Sequence, residues 1–177
     1  MRRVVIMSVL VALFFNATFP RPVCAVTLKD MPVSGLEHVD DVEGVDAIIK
    51  DIPESVMELY RQKGGKITIV PYRLDRMAQR YGVYETGVTG LYIFKGCRIY
   101  VSSGDSVTVG YCLAHEIGHF LYNETRPSWS EKAKLRFTDD ETFARMYGAH
   151  YTFHNQFPGD VKLFSEIEKV AEKLVEK

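Results

Sequence analysis

The sequence predicts an α+β fold: one domain with a small mixed sheet, a central helix that carries the chemistry, and further helices toward the C-terminus. Three observations predict it. Apolar residues recur at helical spacing, then at alternate positions, then at helical spacing again, giving the order helix, strands, helix, helix, helix. The chain's 177 residues, 46% hydrophobic and 25% charged, are enough to bury a core. No repeat or low-complexity segment interrupts them.

The first stretch, "MRRVVIMSVLVALFFNATFPRPVCA", reads as a secretory signal over residues 1–25. Arg2 and Arg3 form its charged start, Val4 to Phe15 its apolar centre, and Val23-Cys24-Ala25 its small-residue cleavage site. A retained membrane anchor is the alternative, but the apolar run is short and is closed by Asn16 and Pro20. The mature chain is expected to begin near Val26, with no stable membrane insertion, and to be secreted into an extracellular or periplasmic space. Removing the signal leaves Cys97 and Cys112, which either pair in that oxidising setting or remain two small buried thiols.

Residues 26–50 contain "SGLEHVDDVEGVD", acidic and glycine-bearing without clear periodicity, and read as a loosely attached N-terminal arm before a domain over residues 51–177. "IPESVMELYRQKGG" places Val56, Leu59 and Tyr60 at helical spacing after Pro53 and stops at Gly64-Gly65. "KITIVPY" alternates Ile67 and Ile69 and ends at Pro71, as a strand does. "TGLYIFKGCRIYVSS" reads as a hairpin turning at Lys95-Gly96, with Cys97, Ile99 and Val101 on one face and Arg98, Tyr100 and Ser102 on the other. The strand over residues 98–102 is a candidate edge that pairs with an extended peptide.

From about residue 106 to 123 the pattern is helical, with Leu113, Ile117, Phe120 and Leu121 as its apolar stripe and Pro127 closing it. After a polar stretch containing Trp129 come "FTDDETFARMYGAHYTF" and a closing amphipathic helix marked by Leu163, Phe164, Ile167, Val170, Ala171 and Leu174. The 22 basic and 23 acidic residues leave a net charge of −1. No excess of either sign draws in nucleic acid or an anionic membrane.

The central helix contains "HEIGH". Residues four apart share a helix face, so His115 and His119 direct two imidazoles at one point, which suits a zinc ion. Glu116 is rotated by about 100°, off the metal yet within reach of a water on it, where a carboxylate accepts a proton and later returns it to a leaving amine. Ala114 and Gly118 permit close packing. A glycine in mid-helix costs about 1 kcal/mol relative to alanine, so it needs such a reason.

A catalytic zinc needs a third protein ligand and one open position. The longer HExxHxxGxxH pattern is absent, since Tyr122 and Thr125 stand where its glycine and histidine would be. Glu141, in "DDETFARMY", follows His119 after a turn long enough to return a second helix beside the first. A capping role competes, because Thr138-Asp139-Asp140-Glu141 has the form of a capping box. Asp140 is the reserve ligand.

"HEIGH" followed by "ETFAR", preceded by "GLYIFKGCRIYV" and "IPESVMELYRQKGGKITIV", resembles the catalytic domain of the anthrax lethal factor-like zinc metallopeptidases, a group that includes the secreted proline-proline endopeptidases. The likeness covers roughly residues 52–155. It implies a zincin-like fold, one Zn2+ held by His115, His119 and Glu141, and Glu116 as the catalytic base. The implied function is a secreted zinc endopeptidase acting on a peptide or protein substrate.

Two positions depart from the family pattern. Arg145 replaces a second acidic residue, and Lys134 replaces a tyrosine that stabilises the oxyanion. Tyr151, within a quarter turn of Glu141's direction, is the nearest alternative donor; Tyr147, His150 and His154 fit less well, and none is assigned the role. Arg145 and Lys134 are also the features that favour a catalytically inactive zincin-like binding or inhibitory module.

Overall fold

The computed structural model describes residues 27–126, 139–154 and 158–176. The signal segment, Pro127, Trp129, Lys134 and Thr138 lie outside them. The protein is mixed α+β, built on a four-stranded sheet of order β1-β2-β4-β3. The strands are β1 (Val33–Ser34), β2 (Lys66–Val70), β3 (Gly90–Ile93) and β4 (Arg98–Ser102). β1, β2 and β4 run parallel, and β3 returns antiparallel on β4 through the expected hairpin.

That order corrects one expectation. β4 is not an edge: it is paired with β2 from Lys66↔Arg98 to Val70↔Ser102 and with β3 on its other side. The edge is β3. Strand order is set by a contact between segments about 30 residues apart, which local alternation does not encode. Ser102 N donates to Thr89 O at 2.8 Å, which fixes the alternation of the hairpin ladder. In the non-bonded pairs Gly90↔Val101 and Tyr92↔Ile99, Gly90 and Tyr92 therefore turn their main-chain groups toward the free side of β3, while Val101 and Ile99 turn theirs toward β2.

Five helices share one core on one face of the sheet: α1 (Val42–Ile49), α2 (Glu54–Gln62), α4 (Ser106–Thr125), α5 (Asp140–Phe153) and α6 (Pro158–Val175). α2 forms where expected, burying Val56, Met57, Leu59 and Tyr60. The Tyr60 hydroxyl donates to the carbonyls of Lys66 (2.8 Å) and Cys97 (3.1 Å), tying the helix to the sheet. Its ring meets Phe120 edge-on at 5.0 Å, a geometry worth about 0.5–1.5 kcal/mol beyond the area it buries. α6 buries Leu163, Phe164, Ile167 and Ala171 from the predicted stripe.

Residues 27–50 are not a loose arm. Leu28, Val45 and Ile49 are almost fully buried in the same core as Phe120 and Phe164. Asp46 accepts the Leu28 N–H at 2.7 Å, Asp41 caps α1 through Gly44 N at 2.8 Å, and Val33 pairs with Ile67. Leu28 sits in an isolated turn and α1 buries only the pair Val45 and Ile49, so no sustained period links them.

A short helix not expected from the sequence, α3 (Asp75–Arg80), covers the opposite face of the sheet. Leu74 and Ala78 pack there with Val70, Leu91 and Ile93 in a second, smaller core. Asp75 Oδ1 accepts the N–H groups of Gly87 (2.7 Å) and Val88 (2.9 Å), anchoring the loop that leads into β3. Cys97 and Cys112 are both buried and free, so the pairing alternative does not hold. No helix among the described residues is long and apolar enough to cross a membrane.

Candidate metal centre

α4 begins at Asp105, whose carboxylate accepts Thr108 N at 2.8 Å, and ends at Arg126 in the left-handed conformation (φ 43°). Its apolar residues Leu113, Ile117, Phe120 and Leu121 are buried in the core, and His115 and His119 share another face with ring centroids 4.8 Å apart.

α5 packs along α4 because both helices have glycine at the crossing. A Cβ on Gly118 would lie 2.9 Å from Ala144 Cα, and one on Gly148 would lie 3.2 Å from the His115 backbone nitrogen. A side chain at Gly118 would force the backbones apart and one at Gly148 would press on His115, so the mid-helix glycine in "HEIGH" has the packing reason the sequence asked for.

That approach brings Glu141 to the histidines. Its Oε2 lies 3.7 Å from His115 Nε2 and 3.3 Å from His119 Nε2, and the three ligand atoms lie within 4.8 Å of one another. The competing capping role is not taken. Asp139 caps α5 by accepting Thr142 N at 2.7 Å, while Glu141 Oε1 accepts from Arg145 Nε at 2.8 Å. Arg145 thus holds one carboxylate oxygen and leaves the other for the imidazoles. Asp140, the reserve ligand, sits behind His119, its Oδ2 3.5 Å from Nδ1. A carboxylate there orients a metal-binding imidazole and raises its basicity. His115 Nδ1 is buried and has no such partner among the described residues.

Charge states suit a cation. Burial, followed by the charge of His119, pushes the His115 imidazole down to about 4, so its lone pair is free at neutral pH. Burial pulls the Glu141 carboxyl upward, but the Arg145 hydrogen bond and the neighbouring imidazoles outweigh it and hold the group below the ordinary carboxylate range. Glu116 is only 4% exposed. Burial, reinforced by the Glu141 charge and opposed by the Tyr92 backbone, pushes its carboxyl up to about 8.

These groups line a cavity of about 650 Å3, walled by the loop over residues 83–89, by β3 and by the facing sides of α4 and α5. Tyr111, Cys112 and Arg145 also line it. Tyr111 was missed although the signal was present: it precedes His115 by four residues and so shares its helix face. Tyr151 is not at the site. Its hydroxyl donates to Glu168 on α6, as does that of Tyr147 at 3.4 Å, and His150 packs on Phe164 with centroids 5.1 Å apart.

Neither a scan against protein-family models nor a search of curated proteins finds a match to this chain.

Proposed function

We propose that this chain is a secreted zinc-dependent endopeptidase with a zincin-like fold, in which His115, His119 and Glu141 hold one Zn2+ and Glu116 is the general base. The observation that carries the reading is the convergence of two imidazole nitrogens and one carboxylate oxygen within 4.8 Å, beside a buried glutamate that is not a member of the trio. Two histidines and a glutamate from facing helices are a donor set that zinc accepts, with a fourth position left for solvent. The sequence resemblance to the lethal factor-like peptidases supports the same assignment.

Zinc bound there supplies a Lewis acid for the scissile carbonyl and acidifies water. The residues of the chain do the rest. Arg145 keeps Glu141 to a single donating oxygen, and Asp140 fixes the ring of His119. Glu116 acts in its carboxylate form: burial raises its proton affinity, so the carboxylate accepts a proton from the attacking water and delivers it to the leaving amine. The free side of β3 offers the main-chain groups of Gly90 and the carbonyl of Tyr92 to an extended peptide along the cavity, a role first expected of residues 98–102, while the Tyr92 N–H is turned to Glu116. The substrate is accordingly a peptide or protein segment, and the balanced charge gives no reason for a nucleic-acid partner.

A second reading, an inactive metal-binding module of the same fold, draws on one observation. Tyr147 and Tyr151 are both engaged by Glu168, so neither is available as an oxyanion donor. Metal analysis and a peptide-library digest, run on wild type and Glu116→Gln, separate the two. The peptidase carries about one zinc in both proteins and cleaves only as wild type. Zinc without cleavage in either favours the inactive module, and absence of zinc defeats both.

A further inference from the structure

Glu116 and Phe120 are successive members of one row along α4, and Gly90 and Tyr92 are successive members of one row along β3. The two rows face each other. Tyr92 meets Phe120 edge-on at 6.3 Å. Two residues earlier, on the same face of the strand, position 90 has no side chain, and the carboxylate of Glu116 fills that space. A Cβ built on Gly90 would lie 2.3 Å from Glu116 Oε1, 3.1 Å from its Cδ and 3.2 Å from its Cγ. Gly90 has no positive φ, so its backbone does not call for glycine. A strand interior ordinarily disfavours that residue. The demand comes from the glutamate alone.

We propose that Gly90 is a positioning residue for Glu116: the bare stretch of edge strand is the slot that holds the base in place beside the metal ligands. Alanine at this position pushes the carboxylate out along the cavity while leaving His115, His119 and Glu141 untouched. The proposal deepens the peptidase reading, but its steric half stands without it.

The test compares four full-length proteins: wild type, Gly90→Ala, Glu116→Ala and the double variant. Gly90→Ala is expected to lower the melting temperature when Glu116 is present and to leave it unchanged or higher when position 116 is alanine. All four should bind about one zinc per chain. Gly90→Ala should also lose about tenfold to a hundredfold in kcat on a cleaved peptide, as displaced catalytic groups do, with KM within about twofold. An equal loss of melting temperature in both backgrounds overturns the proposal, as does full kcat in a normally folded Gly90→Ala protein. If Gly90→Ala fails to fold, recovery in the double variant supports the slot and failure in both overturns it. If wild type cleaves nothing, the peptidase reading fails while the melting comparison still decides whether Gly90 holds Glu116.

Discussion

The two helices that meet at the metal centre contribute to it in opposite ways. α4 offers His115 and His119 with side chains 13% and 16% exposed, on a helix whose other faces are locked into the main core. α5 offers Glu141, Asp140 and Arg145 from its first turns, with side chains 46%, 51% and 65% exposed. Toward its C-terminal end α5 turns inward, burying Tyr147, Gly148 and Tyr151 against α4 and α6. One helix is a fixed scaffold; the other is half scaffold and half adjustable clamp. Removing a group from the scaffold side should abolish the site, removing one from the clamp should weaken it by degrees, and altering the inner half of α5 should affect stability alone.

The largest effect belongs to His119→Ala, which should take zinc from about one per chain to near none, read by metal analysis after dialysis without chelator. Glu141→Ala should follow closely. If it retained zinc as firmly as wild type, the clamp would have to be placed elsewhere. Asp140→Asn keeps the shape but not the charge behind His119, and should weaken zinc about tenfold to a hundredfold in a chelator competition, with folding unchanged. An unaltered affinity would mean that 3.5 Å is proximity without consequence. Tyr151→Phe should leave zinc content and cleavage intact while costing about 1–3 kcal/mol in denaturant unfolding, because Glu168 loses a buried donor. Loss of kcat with unchanged stability would instead return Tyr151 to the site.

The same contrast was uneven in the sequence. His115, Glu116 and His119 were legible because their relation is local: four residues make one helical turn, whatever else the chain does. Glu141 was legible only as one of two acids with two roles. The choice rests on how α5 crosses α4, and that is settled at Gly118 against Ala144 and Gly148 against His115, contacts between segments about 30 residues apart. Non-local pairing also hid the edge position of β3. Leu28 was missed as core because it lies in an isolated turn, Val45 and Ile49 because α1 is only eight residues long and buries just that one pair, and α3 because six residues with Ala78 as their one buried member carry no usable period.

The smallest effect is a pH dependence of the metal-free protein. His115, depressed to about 4 from an ordinary 6.5, binds fewer protons folded than unfolded between those values, so its contribution to stability rises with pH up to 6.5. Glu116, raised to about 8 from an ordinary 4.5, binds more protons folded than unfolded, so its contribution falls as pH rises from 4.5 to 8. The two oppose each other below 6.5, and above it only Glu116 remains. Metal-free wild type should therefore lose stability between pH 6.5 and 8 relative to Glu116→Gln, in denaturant midpoints with chelator present. Parallel profiles for the two proteins would place the carboxyl in water instead of under β3.

The most direct measurement of the central claim is zinc-edge anomalous diffraction from crystals of the purified protein soaked in zinc. A single strong peak at the meeting point of His115 Nε2, His119 Nε2 and the Glu141 oxygen turned away from Arg145 is the expected result. A peak elsewhere, or none with the side chains ordered as they are here, would contradict the account.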